Sequence, residues 1–374
     1  MSLEVPAAAG PRPTRAGPVP DLVRANGEVV VVGRAWPKRT GEADGGRVIR
    51  IEGRDREDRL RAGRLVVNVP PGAPRHEVIL NRPGHDRRLP DLEAVAAEGR
   101  LVVHRLGRRA VARLEDRFVK VLRPGSSEAV AHRSRVGARI AAEAGFVAAE
   151  VLEAERGRIE LAVVPGRDLH AGGSSMDLAA WAAAWDAWAD AWQGFARADA
   201  SRETLPAHTA ADELAGLVTW LDHTHEFAAL PLLQRELVLR CRALGGDLGA
   251  TEPDPAVVSH RDLHDKQLLW DGGRIGLLDL DTLALAEPAC DLANLAVHAE
   301  LRTHQGLWSR HHRDVVLERV DRVAEDLGVT PRRMRAYAEA TRLRLTMLYA
   351  FRPRWAPLMP DWLHERSLTA ISST

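Results

Sequence analysis

A chain of 374 residues is long enough for two or three packed units, each with its own apolar core. Its 52 Lys plus Arg against 52 Asp plus Glu leave a formal net charge of zero, which excludes a global field that would recruit nucleic acid or an anionic membrane. Cys241 and Cys290 stand alone, with no CxxC pair and no Cys/His cluster, so a disulfide framework and a zinc site are both excluded and a reducing cytoplasm is expected.

Residues 1–20, "MSLEVPAAAGPRPTRAGPVP", are rich in Pro, Ala and Gly, contain no continuous apolar stretch of export-signal type, and are expected to form a disordered tail. No 18-residue uncharged apolar run follows anywhere, so no membrane span is expected. Across 21–98, "EVVVVGRAW", "RVIRIEG", "GRLVVNV" and "HEVILN" are short β-branched runs punctuated by Gly, Pro and charge, which predicts a small strand-rich unit ending near "RPGHDRRLPDL". No chemistry attaches to it.

A second strand-rich block covers 99–166. "RLVVHRLGRRAVARLEDRFVKVLRPG" breaks at Leu106-Gly107-Arg108 and at Glu115-Asp116, which predicts a three-stranded antiparallel meander. "SSEAVAHRSRVGARIAAEAG" reads as a helix with a Ser N-cap and Gly145 as its stop, and "AEVLEAERGRIELAVVPGRDL" as two strands with an exit turn at Pro165-Gly166. From Met176 onward the chain is mostly helical. Trp181, Trp185, Trp188 and Trp192 recur on one helical face, a spacing that more often marks packing than an exposed platform for stacking sugars. A small β half followed by a large α half predicts an α+β arrangement of two lobes, with 167–374 as the helical one.

The helical half is interrupted by "VVSHRDLHDKQLLWDGGRIGLLDLDT" at 257–282. "PAVVSH" and "GRIGLLDL" predict two strands closing a hairpin over a turn at Asp271-Gly272-Gly273, with His260, Asp262, His264, Asp265 and Gln267 in the polar loop between them. Moving a γ-phosphoryl group to a hydroxyl needs an Asp to accept the hydroxyl proton, an amide oxygen five residues on for Mg²⁺, and an Asp after the next strand to bridge metal and phosphates. His260, Arg261, Asp262 and Gln267 keep that spacing, and Asp279 follows the apolar "GLL".

"HRDLHDKQLLWDGGRIGLLDLDTLALAEPACDLANL" resembles the catalytic loop, two-acid metal strand and "DPAxDLA" segment of the aminoglycoside phosphotransferase-like branch of kinase-fold small-molecule kinases. The resemblance implies a protein-kinase-like two-lobed fold, with a small β-rich N-lobe, a large helical C-lobe and an extra N-terminal cap-like unit. It also implies ATP and Mg²⁺ as cofactors and a small-molecule hydroxyl acceptor, with no nucleic acid and no membrane as partner. On that reading Asp262 is the catalytic base, Gln267 and Asp279 are Mg²⁺ ligands and Asp281 is a second acidic candidate. His260 orders the loop, while Asp291 and Asn294 brace the C-lobe. Gln267 replaces the usual Asn, yet its amide remains a hard oxygen donor suited to Mg²⁺. Maltokinases and bacterial glucosamine kinases resemble this chain in a similar "HxDLHxxQ" loop and in a cap-like unit, which tilts the acceptor toward a sugar or amino sugar.

Lys120 in "DRFVKVLRP" alternates with Val119 and Val121 and matches the phosphate-binding lysine of the third N-lobe strand, although a solvated strand lysine is the plainer reading of it in isolation. Its acidic partner is expected at Glu128, with Glu143 as the alternative. Backbone groups at Val163 and Val164 in the hinge-like "LAVVPGRDL" are expected to meet adenine. Arg108 and Arg109 read either as phosphate contacts or as exposed turn residues. Arg342, Arg344, Arg352 and Arg354 read either as acceptor-pocket residues that would disfavour a polycationic aminoglycoside or as surface arginines over helix grooves. His298, His304, His311 and His312 show no ligand spacing with acids and are expected to be structural or solvated. A catalytically idle kinase-fold binding protein, or one that modifies a macromolecule, is the alternative function.

Overall fold

A computed structural model describes residues 17–38, 47–68 and 75–365; the tail expected over residues 1–20 lies outside the described residues apart from its last four. The chain opens with β1 (Leu22–Ala25), β2 (Glu28–Lys38), β3 (Arg47–Arg54), β4 (Leu60–Asn68) and β5 (Arg75–Leu80), paired antiparallel in that order. Val23, Val30, Val32, Ile49, Ile51 and Leu65 are buried on one face, the period-2 pattern of a half-covered sheet.

After α1 (Leu92–Glu98) come β6 (Arg100–Arg105), β7 (Arg109–Arg113) and β8 (Arg117–Leu122), the predicted meander. Helix α2 (Ser127–Glu143) and the strands β9 (Val147–Ala148), β10 (Val151–Glu155) and β11 (Arg158–Ala162) follow; β10 and β11 complete a five-stranded sheet of order β10-β11-β8-β7-β6, with β8 at its centre. Ser126 occupies the N-cap of α2 as expected, but its hydroxyl donates backward to the Arg123 carbonyl at 2.7 Å instead of accepting from the first turn. Gly145 ends the helix with a left-handed φ of +98°.

The helical part contains β12 (Arg167–Asp168), α3 (Leu169–Gly172), α4 (Leu178–Ala196), β13 (Ala207–His208), α5 (Ala210–Glu226), α6 (Gln234–Gly249), β14 (Val257–Ser259), β15 (Leu268–Trp270), β16 (Ile275–Leu277), β17 (Ala284–Ala286), α7 (Ala289–His304), α8 (Arg310–Asp326), α9 (Pro331–Tyr349) and α10 (Met359–His364). The expected hairpin is displaced. "LLW" of β15 pairs with β16 across Asp271-Gly272-Gly273, whereas the "VVS" strand, β14, pairs with β17 in a separate sheet. The turn favours this pairing, because the Asp271 carboxylate accepts the amides of Gly273 at 3.0 Å and Arg274 at 2.7 Å and Gly272 sits at φ +101°, so the residues immediately flanking it are set opposite one another. β16 also pairs in parallel with β9, joining the helical part to the segment after α2.

The tryptophan stripe of α4 is core, as its spacing suggested: Trp181, Trp185 and Trp188 are fully buried and Trp192 is 2% exposed. Successive rings meet at 5.5, 5.6 and 6.0 Å between centroids, and Trp181 meets Trp308 edge-on at 5.0 Å. Among the described residues no helix is long and apolar enough to cross a membrane.

Candidate active site

Lys120 lies on the central strand β8 opposite Val111 of β7 and Ile159 of β11. Val119 and Val121 face the small apolar core beneath the sheet, so alternation sends Lys120 to the opposite face. There its ammonium, on a side chain 8% exposed, donates to Asp279 Oδ1 and to Asp281 Oδ2, both at 2.9 Å. Asp279 follows β16 in the left-handed region, φ +58°, which a short polar side chain tolerates better than most, and Asp281 sits two residues on in a 3₁₀ turn over Leu280–Thr282. Burial pushes the Asp279 carboxyl up, but the charge of Lys120, followed by that of Arg109, outweighs this and holds it below the usual carboxylate range. Asp281 Oδ1 is buried and has no hydrogen-bond partner among the described residues.

Glu128 does not supply the acidic partner. It is exposed in the first turn of α2, Glu143 is exposed and tied to Arg139, and the ion pairs of Lys120 go to the two aspartates instead. The helix contributes differently. Arg133 Nε donates to the Asp281 carbonyl at 2.8 Å, and Gly137 lies so close to Leu280 that an added Cβ would stand 2.6 Å from its Cβ.

The polar loop after β14 is laced to the same strand. His260 Nε2 donates to the Leu278 carbonyl at 2.7 Å and its Nδ1 accepts the Asp262 amide at 3.3 Å, while Thr282 Oγ1 donates to the His260 carbonyl at 2.9 Å. Asp291, at the start of α7, takes Ser259 Oγ and the His260 amide at 2.6 Å and the Arg261 amide at 2.8 Å; Asn294 Nδ2 donates to the Leu263 carbonyl at 2.7 Å. These bonds brace the loop that presents Asp262, whose side chain is 52% exposed.

A cavity of about 400 Å³ between the five-stranded sheet and the helical part is lined by Lys120, Val163, Val164, Gln267 and Asp279, with Phe118, Leu161, Leu269 and Leu277 among its apolar walls. Asp262 is not part of that lining. Gly166, at φ +113°, lets the connecting chain pass over Trp270, since an added Cβ would stand 2.7 Å from the Trp270 carbonyl. Arg109 reaches within 3.9 Å of Asp279 Oδ2, while Arg108 is exposed.

Three features were not legible beforehand. His298 is buried with His264 and Asp265, its Nδ1 3.7 Å from the Asp265 carboxylate, which corrects its reading as a histidine remote from acids. Asp265 is fully buried and takes Arg302 through both oxygens at 2.8 and 3.1 Å and His170 Nδ1 at 2.6 Å. Burial pushes its carboxyl up, but Arg302 and His170 outweigh that and hold it well below its ordinary range. His264, Asp265 and His298 are close enough to share an ion, yet the Arg302 guanidinium already occupies the carboxylate. Three of the four C-terminal arginines are not surface residues over helix grooves: Arg342 is buried against Glu300, Arg344 is half-buried and donates to Asn294 Oδ1 at 2.6 Å, and Arg352 is buried against the first sheet through the Ala35 carbonyl, whereas Arg354 is exposed.

The protein-family model described as the phosphotransferase enzyme family, APH, matches residues 98–337. The fold is similar to that of aminoglycoside phosphotransferase APH(3'')-Id from Streptomyces rimosus, with TM-score 0.50 and 21% identity over 68% of this chain and 96% of that one. It is also similar to an aminoglycoside-3'-phosphotransferase of type VIII, with TM-score 0.50 and 17% identity over 68% of this chain and 98% of that one. At these identities the likeness is one of fold. No curated protein matches the sequence.

Proposed function

The chain belongs to the phosphotransferase enzyme family and is a small-molecule phosphotransferase acting on hydroxyl groups, and from that premise we propose that it is an ATP- and Mg²⁺-dependent kinase of a sugar or amino sugar. The observation that carries this reading is the Lys120 ammonium held between Asp279 and Asp281 at the inner end of an apolar cleft. Val163 and Val164 line the part of that cleft that suits adenine, and Lys120 and Arg109 supply positive charge where phosphates would lie.

The residues fit a divalent cation. Asp279 is held ionised, Asp281 has a buried oxygen with no partner among the described residues, and Gln267 adds an amide oxygen to a set of hard donors. When bound, Mg²⁺ offsets the charge that develops on the transferred group. Asp262 accepts the proton of the acceptor hydroxyl and orients it. His260, Asp291 and Asn294 fix the loop that carries it, so the contribution of the protein is positioning and charge neutralisation.

Residues 21–98 form, on this proposal, a cap-like unit ahead of an N-lobe at 99–166, with the C-lobe at 167–374. The extra sheet and Gln267 support an acceptor of the maltokinase or glucosamine kinase kind. An ATP-consumption screen with Mg²⁺ over sugars, amino sugars and aminoglycosides tests it. Turnover of a sugar, lost in Asp279→Ala together with Mg²⁺-dependent nucleotide binding, is the expected result. A purified chain whose melting temperature shows no Mg²⁺-dependent response to ATP would instead be a catalytically idle binding protein.

A further inference from the structure

Three guanidinium groups from separate parts of the chain surround the indole of Trp36 on β2. Arg34 lies 5.6 Å from the ring centroid, Arg105 at the end of β6 lies at 5.2 Å, and Arg352 after α9 lies at 5.1 Å. Glu52 takes up Arg34. Arg352, 9% exposed, donates to the backbone carbonyls of Ala35 and Phe351, and Arg105 Nε is buried with no partner among the described residues. Burial, followed by repulsion from neighbouring arginines, brings both groups down to about 10, so both stay charged at neutral pH.

A chain with zero net charge has no overall excess of cations to bury, so their concentration at one seam is local and destabilising unless an anion offsets it. Arg34 and Arg352 already spend N–H groups on Glu52 and on backbone carbonyls, which leaves Arg105, its buried Nε without a partner among the described residues, as the guanidinium of the three that can meet a phosphate or carboxylate. The seam also adjoins the transfer machinery. Arg105 opens the loop whose Arg109 reaches Asp279, and the charge of Arg34 is felt at Lys266, whose ammonium is lowered by loss of hydration, then by Arg302 and in part by Arg34.

We propose that the seam between the first sheet, the β6–β7 loop and the end of α9 binds an anionic group, phosphate or carboxylate, carried by the hydroxyl acceptor. The acceptor is then a sugar or amino sugar that also bears an acidic group, a sugar phosphate or a sugar acid, an assignment that rests on the kinase reading given above and narrows it away from free maltose or glucosamine.

The test titrates inorganic phosphate calorimetrically into the full chain with Mg²⁺ and a non-hydrolysable ATP analogue at saturation. Phosphate is expected to bind with the nucleotide in place, and Arg105→Gln to weaken it at least tenfold; Arg34→Gln serves as a second variant. Without phosphate, Arg105→Gln is expected to melt no lower than the parent chain, because it removes a half-buried charge whose Nε is buried with no partner among the described residues. In turnover assays on a sugar paired with its own phosphate or acid, the charged member is expected to give the higher kcat/KM. Phosphate should inhibit it competitively, and Arg105→Gln should raise its KM with little change in kcat. Displacement of phosphate by the nucleotide, non-competitive inhibition, or preference for the uncharged member would each overturn the proposal, the first by assigning the seam to the nucleotide and the second to a free effector. No transfer to any acceptor, with phosphate still bound through Arg105, would overturn the kinase reading and with it the acceptor assignment; loss of phosphate binding with sugar turnover intact would overturn the anion site alone.

Discussion

On the kinase reading proposed above, Asp262 as proton acceptor and Asp279 as metal ligand would divide the chemistry between them, and their surroundings predict different failures. Asp262→Asn keeps the loop bonds, which run through its backbone amide and through Asp291, but removes the proton acceptor. Single-turnover and nucleotide-binding measurements are expected to show unchanged nucleotide affinity and transfer slowed roughly a hundred- to ten-thousand-fold, the usual worth of general base catalysis. Asp279 has its carboxyl depressed in the fold, so it contributes stability above the ordinary carboxylate range that is lost as pH falls through that range and below it. In acid unfolding, the stability gap between the parent chain and Asp279→Asn should therefore narrow as pH drops from 5 toward 2. Arg302 is structural. Arg302→Met strands the fully buried Asp265 and should cost about 3–5 kcal/mol in denaturant unfolding. That Lys120, Gln267 and Asp279 share one cavity was readable from spacing along strand and loop, whereas Asp262 lies outside that lining. Arg302 was not, since its partner lies 37 residues away and only the approach of α7 to the loop brings the two together.

Helix α2 illustrates what an element's sequence shows and hides. Its extent followed from propensity and from the stop at Gly145, but the pairing of its glutamate with Lys120 failed. α2 meets the turn over Leu280–Thr282 through the Arg133 guanidinium and the bare Gly137 backbone among others, and Glu128 lies in the exposed first turn. Gly137→Ala would push α2 off Leu280, at a cost of about 1–3 kcal/mol and a lower melting temperature. Nucleotide affinity should fall with it, because the displaced turn carries Asp281. The hairpin was misplaced for a related reason. "LLW" and "VVS" are equally short, so run length could not choose between them, and the turn chemistry of Asp271-Gly272 did. In α4 the four-tryptophan period was informative by itself, and Trp188→Ala should cost about 3–5 kcal/mol, measured by denaturant unfolding.

At the scale of the molecule, the β-then-α order of segments was enough to expect an α+β two-lobed chain, and the kinase-like fold agrees. How the first sheet attaches was not legible. Its apolar face joins the core of the helical part, and its polar ties include His104 N to Glu52 Oε2 at 2.6 Å, Arg100 to Asp58 at 2.7 Å, and Arg352 to the Ala35 carbonyl from the other side. One sheet thus touches both lobes, so opening of the cleft must slide or strain that contact. The distribution of indoles makes such sliding visible by light. Of ten tryptophans, Trp36 alone belongs to the first sheet, residues 98–166 contain none, and the rest lie at 181 and beyond. Intrinsic emission therefore comes mainly from the helical half, and the difference spectrum between the parent chain and Trp36→Phe isolates one chromophore at the junction, giving a native optical gauge of closure that needs no attached dye.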